Sequence, residues 1–326
     1  MDSTALCQTC EKVFQRLASN SHFGDVISTK TIDDTAATSA CSFCRLLVRG
    51  LLDGLSHLPI DKVWQVEVEL PYRPAGIHGR LSARLRNKEK IVTSCELGSV
   101  GHPDSDFRLV VGHQIDPELA VRWMAICSER HDTCNLRKTT LRAWSGNDFA
   151  LRCVDVQNSC LVNFPATSGP RYATLSYVWG DVPSFRLSRQ MLPVLQERGS
   201  LDRIDLIPRT IQDSIIWTRN IGIKYLWVDS LCLVQDDEKE MEQGIKAMDL
   251  IYSHSTLNII AASGFDAGSG LPGVRFGSRL PAQIQETVHG YTFISYRSVS
   301  SFLERSRYTT RGWTYVTMYR AAYEGI

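Results

Sequence analysis

The sequence lacks a net charge of either sign, because 36 lysine and arginine residues oppose 35 aspartate and glutamate residues. It also lacks runs of lysine or arginine, which argues against a nucleic-acid-binding protein that relies on a basic surface. No apolar stretch approaches the roughly 20 residues that a membrane-spanning helix needs. The N-terminus has an early acidic residue and no apolar segment typical of a secretory signal. These absences predict a soluble cytoplasmic protein with reduced thiols, no membrane span and no nucleic-acid partner.

The short motifs of several enzyme classes are also missing. There is no GxSxG nucleophile elbow, no Walker A loop and no HExxH metalloprotease motif. The segment GSGLPG near Gly268 lacks the strand-to-helix context of a phosphate-binding loop. Cys232 lies in an apolar segment, where burial raises the pKa of a thiol and reduces its reactivity. The sequence therefore predicts neither a nucleophile nor a phosphate loop.

The first half of the 326-residue chain has mixed periodicity. Helical spacing of apolar residues and strand-like alternation predict six elements: helices over 10–18, 40–55 and 117–127, and strands over 62–69, 79–85 and 107–111. A polar stretch at 131–148 is typical of a connection. We therefore predict a smaller, cysteine-rich α+β leader region over residues 1–150.

The second half alternates between strands and helices. Three apolar segments and the two amphipathic segments between them predict five elements: strands over 173–178, 224–234 and 257–262, and helices over 207–222 and 236–255. Pro208 suits the start of the first helix and Gly222 its end. This order implies an α/β domain over 151–326, with a parallel sheet flanked by helices and connected by right-handed crossovers.

Two cysteine pairs have the spacing of metal ligands. Cys7 and Cys10 form one CxxC pair, and Cys41 and Cys44 form the other. Two such pairs can supply the four thiolates of a tetrahedral zinc site. Both pairs lie on predicted helices, however, whereas zinc-binding pairs usually lie in turns, and buried cysteines also pack as small apolar residues. Zinc binding and ordinary packing both remain open on this pattern.

A second cysteine-containing pattern is weaker as a metal site. Cys127, His131 and Cys134 have the spacing C-x3-H-x2-C, but no matching second pair follows. We therefore interpret Cys127 as a free core cysteine and His131 as a surface residue.

Polar and aromatic residues follow the first two predicted strands of the α/β domain. In open α/β sheets, ligands bind beyond the carboxyl ends of the strands. There, Trp179 could stack on a nucleotide base and Asp229 could accept hydrogen bonds from ribose hydroxyls. The alternative is that Trp179 and Gly180 form a turn and that the aspartates cap the next helix. The residues concerned are Ser176, Trp179, Gly180 and Asp181 after the first strand, and Asp229, Asp236 and Asp237 after the second.

Four ordered segments carry a family resemblance. They are YATLSYVWG at 172–180, IPRTIQDSIIWTRNIGIKYLWVDSLCLVQDDEKE at 207–240, MDLIYSHSTLNIIAASG at 248–264 and YTTRGWT at 308–314. Together they resemble the motifs of the fungal heterokaryon incompatibility (HET) domain, over about residues 172–317.

The resemblance implies a function in fungal non-self recognition, in which contact between incompatible partners triggers programmed cell death. The HET domain is thought to execute that death, and it is remotely similar to TIR domains, which have a flavodoxin-like fold. Some TIR domains cleave the glycosidic bond of NAD+ with a glutamate in a W-x-x-E-like context. The resemblance therefore implies NAD+ as a substrate, and it implies self-association or contact with other HET or TIR-like domains. Transfer of that chemistry is an analogy of fold.

The closing motif departs from the family pattern. The resemblance places a glutamate three residues after the RGWT sequence, where this chain has Thr317, and threonine cannot act as a carboxylate. We expect this change to remove most hydrolysis, which leaves an effector, a hydrolase and an inactive interaction protein as open hypotheses. The segment after Thr314, YVTMYRAAYEGI, matches nothing expected from the family, and we expect it to be a gene-model or frameshift artefact or the result of a true truncation. The complete set of ligand-pocket candidates is Ser176, Trp179, Gly180, Asp229, Asp237, Arg311 and Trp313.

Overall fold

A computed structural model describes most of the chain, and its residues form two compact units. The described residues are 6–18, 26–32, 40–53, 64–69, 81–87, 90–101, 109, 112–130, 151–164, 171–279, 283–297, 302–303 and 306–310. The first unit comprises Met1–Gly112 and Pro281–Phe302, and the second comprises His113–Leu280 and Leu303–Ile326.

The described residues contain seven helices and eleven strands, apart from 3-10 turns. The helices are α1 (Gln8–Ala18), α2 (Ser42–Leu52), α3 (Pro117–Arg130), α4 (Leu192–Leu195), α5 (Arg209–Asn220), α6 (Asp229–Cys232) and α7 (Glu238–Ser253). The strands are β1 (Val26–Ile32), β2 (Trp64–Glu69), β3 (Leu81–Asn87), β4 (Lys90–Val100), β5 (Arg152–Asp155), β6 (Cys160–Asn163), β7 (Tyr172–Tyr177), β8 (Tyr225–Trp227), β9 (Leu257–Ala261), β10 (Ile284–Val288) and β11 (Tyr291–Tyr296).

The first unit is an antiparallel sheet with helix α2 packed against it. Its six strands have the order β1-β2-β3-β4-β11-β10, and every neighbouring pair is antiparallel. Alternate residues of β2 and β3 are buried, as the alternating sequence predicts: Val66, Val68, Leu81, Ala83 and Leu85. The sequence predictions of α1, α2, β2 and β3 are thus confirmed, with ends that differ by at most three residues.

The β10–β11 hairpin reaches the first unit from far along the chain. Strand β11 pairs with β4, so that Leu97 lies opposite Ser295. The turn is made by His289 and Gly290, which both have positive φ angles, of 48° and 81°. Two such residues suit a tight two-residue hairpin. The sequence interpretation assigned neither this hairpin nor β4, and the pairing of β11 with β4 is long-range, so no local pattern indicates it.

The second unit is built on a mixed sheet with the order β6-β5-β8-β7-β9. Strand β7 lies between β8 and β9 and is parallel to both. Strands β5 and β6 extend the edge beyond β8 with antiparallel pairing. The predicted parallel sheet is therefore correct for β8, β7 and β9, whereas the antiparallel strands β5 and β6 and the antiparallel sheet of the first unit were not predicted. All six residues of β7 are buried, as expected for a central strand.

The predicted strand over 224–234 is wrong in length. Strand β8 ends at Trp227, and the next residues form the short helix α6. The backbone N–H of Cys232 donates to the carbonyl of Val228 at 2.8 Å, which is a helical bond. A continuous apolar run does not distinguish a buried strand from a buried helical turn. The helices predicted on either side are confirmed as α5 and α7.

Three sequence predictions concern the connection between the two halves of the chain. The strand over 107–111 and the polar connection over 131–148 lie outside the described residues, apart from Leu109. Helix α3, predicted over 117–127, is confirmed and belongs to the second compact unit. The domain boundary at residue 150 stays a prediction.

The buried carboxylate of Asp155 organises the turn between β5 and β6. Burial raises the pKa of Asp155, but hydrogen bonds from the N–H and side-chain amide of Asn158 and from the N–H of Gln157 outweigh it, so the pKa is lowered. A carboxylate with a lowered pKa contributes stability that is present above the unfolded pKa of about 3.9 and is lost as pH falls through the folded pKa.

Changing Asp155 to alanine should therefore lower the free energy of unfolding at pH 7 by about 2 kcal/mol, because three hydrogen bonds are lost. Urea unfolding at pH 7 and at decreasing pH checks this. We expect the wild-type and variant stabilities to converge as pH falls from 5 towards 2. A difference that stays constant over this range would contradict the assignment.

Candidate functional site

The four cysteines of the two CxxC pairs meet in the first unit. The carbonyl of Cys7 accepts the first helical bond of α1, from the N–H of Glu11 at 2.9 Å, and the carbonyl of Cys41 accepts that of α2, from Arg45 at 3.1 Å. Each pair therefore spans the beginning of a helix, with its first cysteine at the cap and its second in the first turn. The sequence objection that both pairs lie within helices is thus removed, because the two pairs occupy helix ends.

The sulfur atoms of this cluster have the spacing of metal ligands. All four lie within 4.8 Å of one another. The Sγ of Cys44 lies 3.7 Å from that of Cys7 and 3.5 Å from that of Cys10. A tetrahedral zinc site with bonds of about 2.3 Å places its sulfur atoms about 3.8 Å apart, whereas a disulfide needs about 2.0 Å. The cluster is therefore a place where a metal ion could bind.

The surroundings of the cluster favour the thiolate form of one cysteine, Cys41. Hydrogen bonds from Cys10 and Cys44 lower the pKa of Cys41, whereas hydrogen bonds with Cys41 and Cys44 raise the pKa of Cys10, which therefore stays a neutral donor. The N-termini of α1 and α2 both point at the cluster, and their dipoles stabilise negative charge. Three of the four cysteines are buried and Cys7 is half-buried.

A second group of predicted residues lies at the carboxyl ends of β7 and β8. In the order of the sheet, β8 lies next to β7 on one side and β9 lies next to it on the other, so the connections change direction beside β7. Ligands of open α/β sheets bind at such a reversal. The indole Nε1 of Trp179 donates to Oδ2 of Asp229 at 3.0 Å, so these two predicted residues are brought together. The backbone N–H of Ser230 donates to the other oxygen of Asp229 at 2.7 Å.

Two residues that the sequence interpretation did not select lie in the same place. The hydroxyl of Tyr308 forms a 2.6 Å hydrogen bond with that of Ser176, and Tyr308 is fully buried. The guanidinium of Arg186 lies 4.8 Å from the centre of the Trp179 ring and covers one of its faces. A base could therefore stack only on the other face. Tyr308 begins the fourth family motif, which was a signal for it, whereas nothing in the local sequence indicates Arg186.

Gly180 permits a close approach of the loop that follows β9. Its φ angle is +66°, and a Cβ at this position would lie 2.4 Å from the Cβ of Asp266. Changing Gly180 to alanine should therefore cost about 3 kcal/mol of unfolding free energy, from backbone strain and steric overlap together. Gly199 is a matched control, because it has a φ of +74° but no atom within 4 Å.

We expect the change of Gly199 to alanine to cost only about 1 kcal/mol, since strain alone acts there. Chemical denaturation of both variants measures the difference. Equal costs would show that the contact with Asp266 has no effect.

The remaining predicted site residues are placed differently. The Asp237 carboxylate caps α7 by accepting from the N–H of Glu240, and it pairs with Arg189 at 2.9 Å. The hydrogen bond from the N–H of Glu240 lowers the pKa of Asp237 most, and the contact with Arg189 lowers it further. Asp237 therefore has the capping function of the alternative interpretation. Five further predicted residues lie outside the described residues: Arg311, Trp313 and Thr317 of the closing motif, and His131 and Cys134 of the C-x3-H-x2-C pattern.

Comparisons with known proteins identify the family of the second half. Residues 172–316 match the family model described as "Heterokaryon incompatibility protein (HET)". The comparisons with curated proteins and with solved structures found no match. Among the described residues, we find no helix with the length and apolar character that crossing a membrane requires. The match contains the Trp179–Asp229 and Ser176–Tyr308 pairs and confirms the family that the four motifs indicated. Residues 172–316 of the chain therefore match the HET family.

Proposed function

We propose that this chain is a cytoplasmic effector or signalling module of programmed cell death in fungal non-self recognition. It acts through self-association or through contact with other HET or TIR-like domains. The observation that carries the proposal is the HET match over residues 172–316. The +1 formal charge supports it, because a nearly neutral protein has little electrostatic barrier to association with its own copies.

Induced expression of the full chain in a filamentous fungus tests the effector function. We expect loss of viability with the wild type, and survival with a variant in which Trp179 is changed to alanine. A Glu197→Gln variant is the control, because Glu197 is two-thirds exposed and lies at the protein surface. Light scattering at increasing concentration tests self-association. Survival of cells that contain folded wild-type protein would contradict the effector function, and a monomer at every concentration would contradict self-association.

A second candidate function is hydrolysis of NAD+ at the carboxyl ends of β7 and β8. In this reaction water adds to the ribose carbon, nicotinamide leaves with the electron pair of the glycosidic bond, and ADP-ribose and a proton are formed. The β8-β7-β9 order and the Trp179–Asp229 pair support a nucleotide site there. The resemblance to TIR domains supports the chemistry by analogy, and Thr317 weighs against it.

Chromatographic assay of NAD+ with purified wild type and with a Thr317→Glu variant tests this candidate. We expect consumption by the variant to exceed that of the wild type, because the glutamate restores the carboxylate of the family motif. Heat-inactivated protein provides the background. If neither protein exceeds that background, the hydrolase function is excluded, and the inactive interaction protein is then favoured.

For the cysteine cluster we propose a structural zinc site formed by Cys7, Cys10, Cys41 and Cys44. The type and number of ligands support this proposal. Four thiolates at these separations can fill all four positions of a tetrahedral zinc ion, as in structural zinc sites. Elemental analysis of the purified full chain tests the site. We expect about one zinc per chain. Protein that is folded after growth with added zinc and yet contains none would contradict the proposal.

A further inference from the structure

Arg45 connects the second cysteine pair to the β10–β11 hairpin. It follows Cys44 directly in α2, and its guanidinium donates to both carboxylate oxygens of Glu286 in β10, at 3.0 and 2.8 Å. Its Nη1 also donates to the carbonyl of Ala40, at 3.0 Å, immediately before Cys41. Both side chains are largely buried, with 20% and 14% exposed. Arg45 therefore connects the backbone that precedes the cysteine cluster to a carboxylate of the hairpin.

Helix α1 is also attached to the same hairpin. The Nε2 of His289, in the hairpin turn, lies 3.1 Å from a carboxylate oxygen of Glu11. The ring of Phe14 lies 5.3 Å from that of His289 and 5.4 Å from that of Phe293, edge to face. Both helices that begin at the cysteine cluster thus pack on β10 and β11.

We infer that metal binding at the four cysteines controls the docking of the β10–β11 hairpin, with Arg45 and Glu286 as the link. The inference rests on the proposed metal site. Four thiolates and one Zn²⁺ together carry a charge of about −2, which favours a cation such as Arg45 beside them. A metal bound to both cysteine pairs also fixes the first turns of α1 and α2 relative to each other.

The link has a consequence for the HET domain, because the hairpin lies within residues 172–316, the HET-matched segment. A metal site in the N-terminal part of the chain would then control the position of a segment of the HET domain itself. Coupling between two sites is reciprocal. Weakening the Arg45–Glu286 contact should therefore weaken metal binding, and removing the metal should loosen the hairpin.

The first experiment measures zinc affinity of the full chain by competition with a chromophoric chelator. We expect a Glu286→Gln variant to bind zinc 10- to 100-fold more weakly, the range typical of outer-shell partners of metal ligands. Glu67→Gln is the matched control, because Glu67 is 15% exposed and pairs with Arg86 at 3.1 Å in the same sheet, without a contact to the cysteines among those described. Its zinc affinity should equal that of the wild type.

The second experiment follows amide hydrogen exchange of residues 284–296 in the full chain, with zinc and after removal of zinc by a chelator. We expect exchange in β10 and β11 to accelerate at least tenfold without zinc, while exchange in β7 and β9 stays the same. Wild-type protein that binds no zinc would overturn both the metal site and this inference. Wild-type protein that binds zinc, with unchanged affinity in Glu286→Gln and unchanged hairpin exchange, would overturn this inference alone.

Discussion

Changing both Cys7 and Cys10 to serine should reduce the zinc content of the chain from about one ion to none. Two of the four thiolates are then lost, and a serine hydroxyl does not replace a thiolate ligand at neutral pH. Because the free energy of binding a structural zinc contributes directly to folding, the first unit should also lose much of its stability. Elemental analysis and limited proteolysis measure the two effects.

Cys127→Ser is the control for this double variant, because Cys127 is half-buried in α3 of the second unit. It should retain the zinc content and the protease resistance of the wild type. A double variant that keeps its zinc would show that other residues bind the metal. Equal proteolysis of double variant and wild type would show that the cysteines contribute only ordinary packing.

Changing Asp213 to alanine should destabilise the second unit by about 3 kcal/mol. Asp213 lies in α5 and is fully buried. It accepts a hydrogen bond from the N–H of Leu271 at 2.9 Å and pairs with the Arg275 guanidinium at 2.5 Å. Alanine would leave the N–H of Leu271 without a partner and Arg275 without its counter-charge, and each loss is worth about 1–3 kcal/mol. The Arg275 side chain is 40% exposed, so water offsets part of its loss.

Thermal unfolding of this variant should show a midpoint lowered by roughly 6–12 °C, at about 2–4 °C per kcal/mol for a domain of this size. Glu197→Gln is the control, because Glu197 and Arg203 form an exposed pair at 3.5 Å. Such a surface pair contributes at most about 1 kcal/mol. If the two variants unfolded at the same temperature, the buried Asp213–Arg275 pair would contribute no more to stability than the exposed pair.

Local patterns were sufficient for some parts of the candidate sites. The CxxC spacing selected all four cysteines of the cluster, because two ligands three residues apart are already close on any first helical turn. The position of Trp179 and Asp229 after their strands selected a pair that is hydrogen-bonded in the structure. Asp237 was selected by the same position, yet it caps α7, because capping and ligand binding use the same residue type at the end of a strand.

Local sequence patterns did not identify the partners of these residues. Glu286 is 241 positions from Arg45, and Tyr308 is 132 positions from Ser176. A side chain that becomes important through a partner so distant carries no periodicity or spacing that marks it. Asp213 was missed for a related reason, because an aspartate in an amphipathic helix looks solvent-exposed unless the loop that buries it is known.

The amino-acid sequence by itself determined the match of residues 172–316 to the HET family, the helices α5 and α7 and the strands β7 and β9. These depend on motifs and on periodicities within single segments, where each residue is constrained by neighbours a few positions away. Only the tertiary structure decided that both cysteine pairs meet, that β8 ends at Trp227 and that the hairpin completes the first sheet. These features depend on packing between distant segments, and the free energy of that packing overrides local preference.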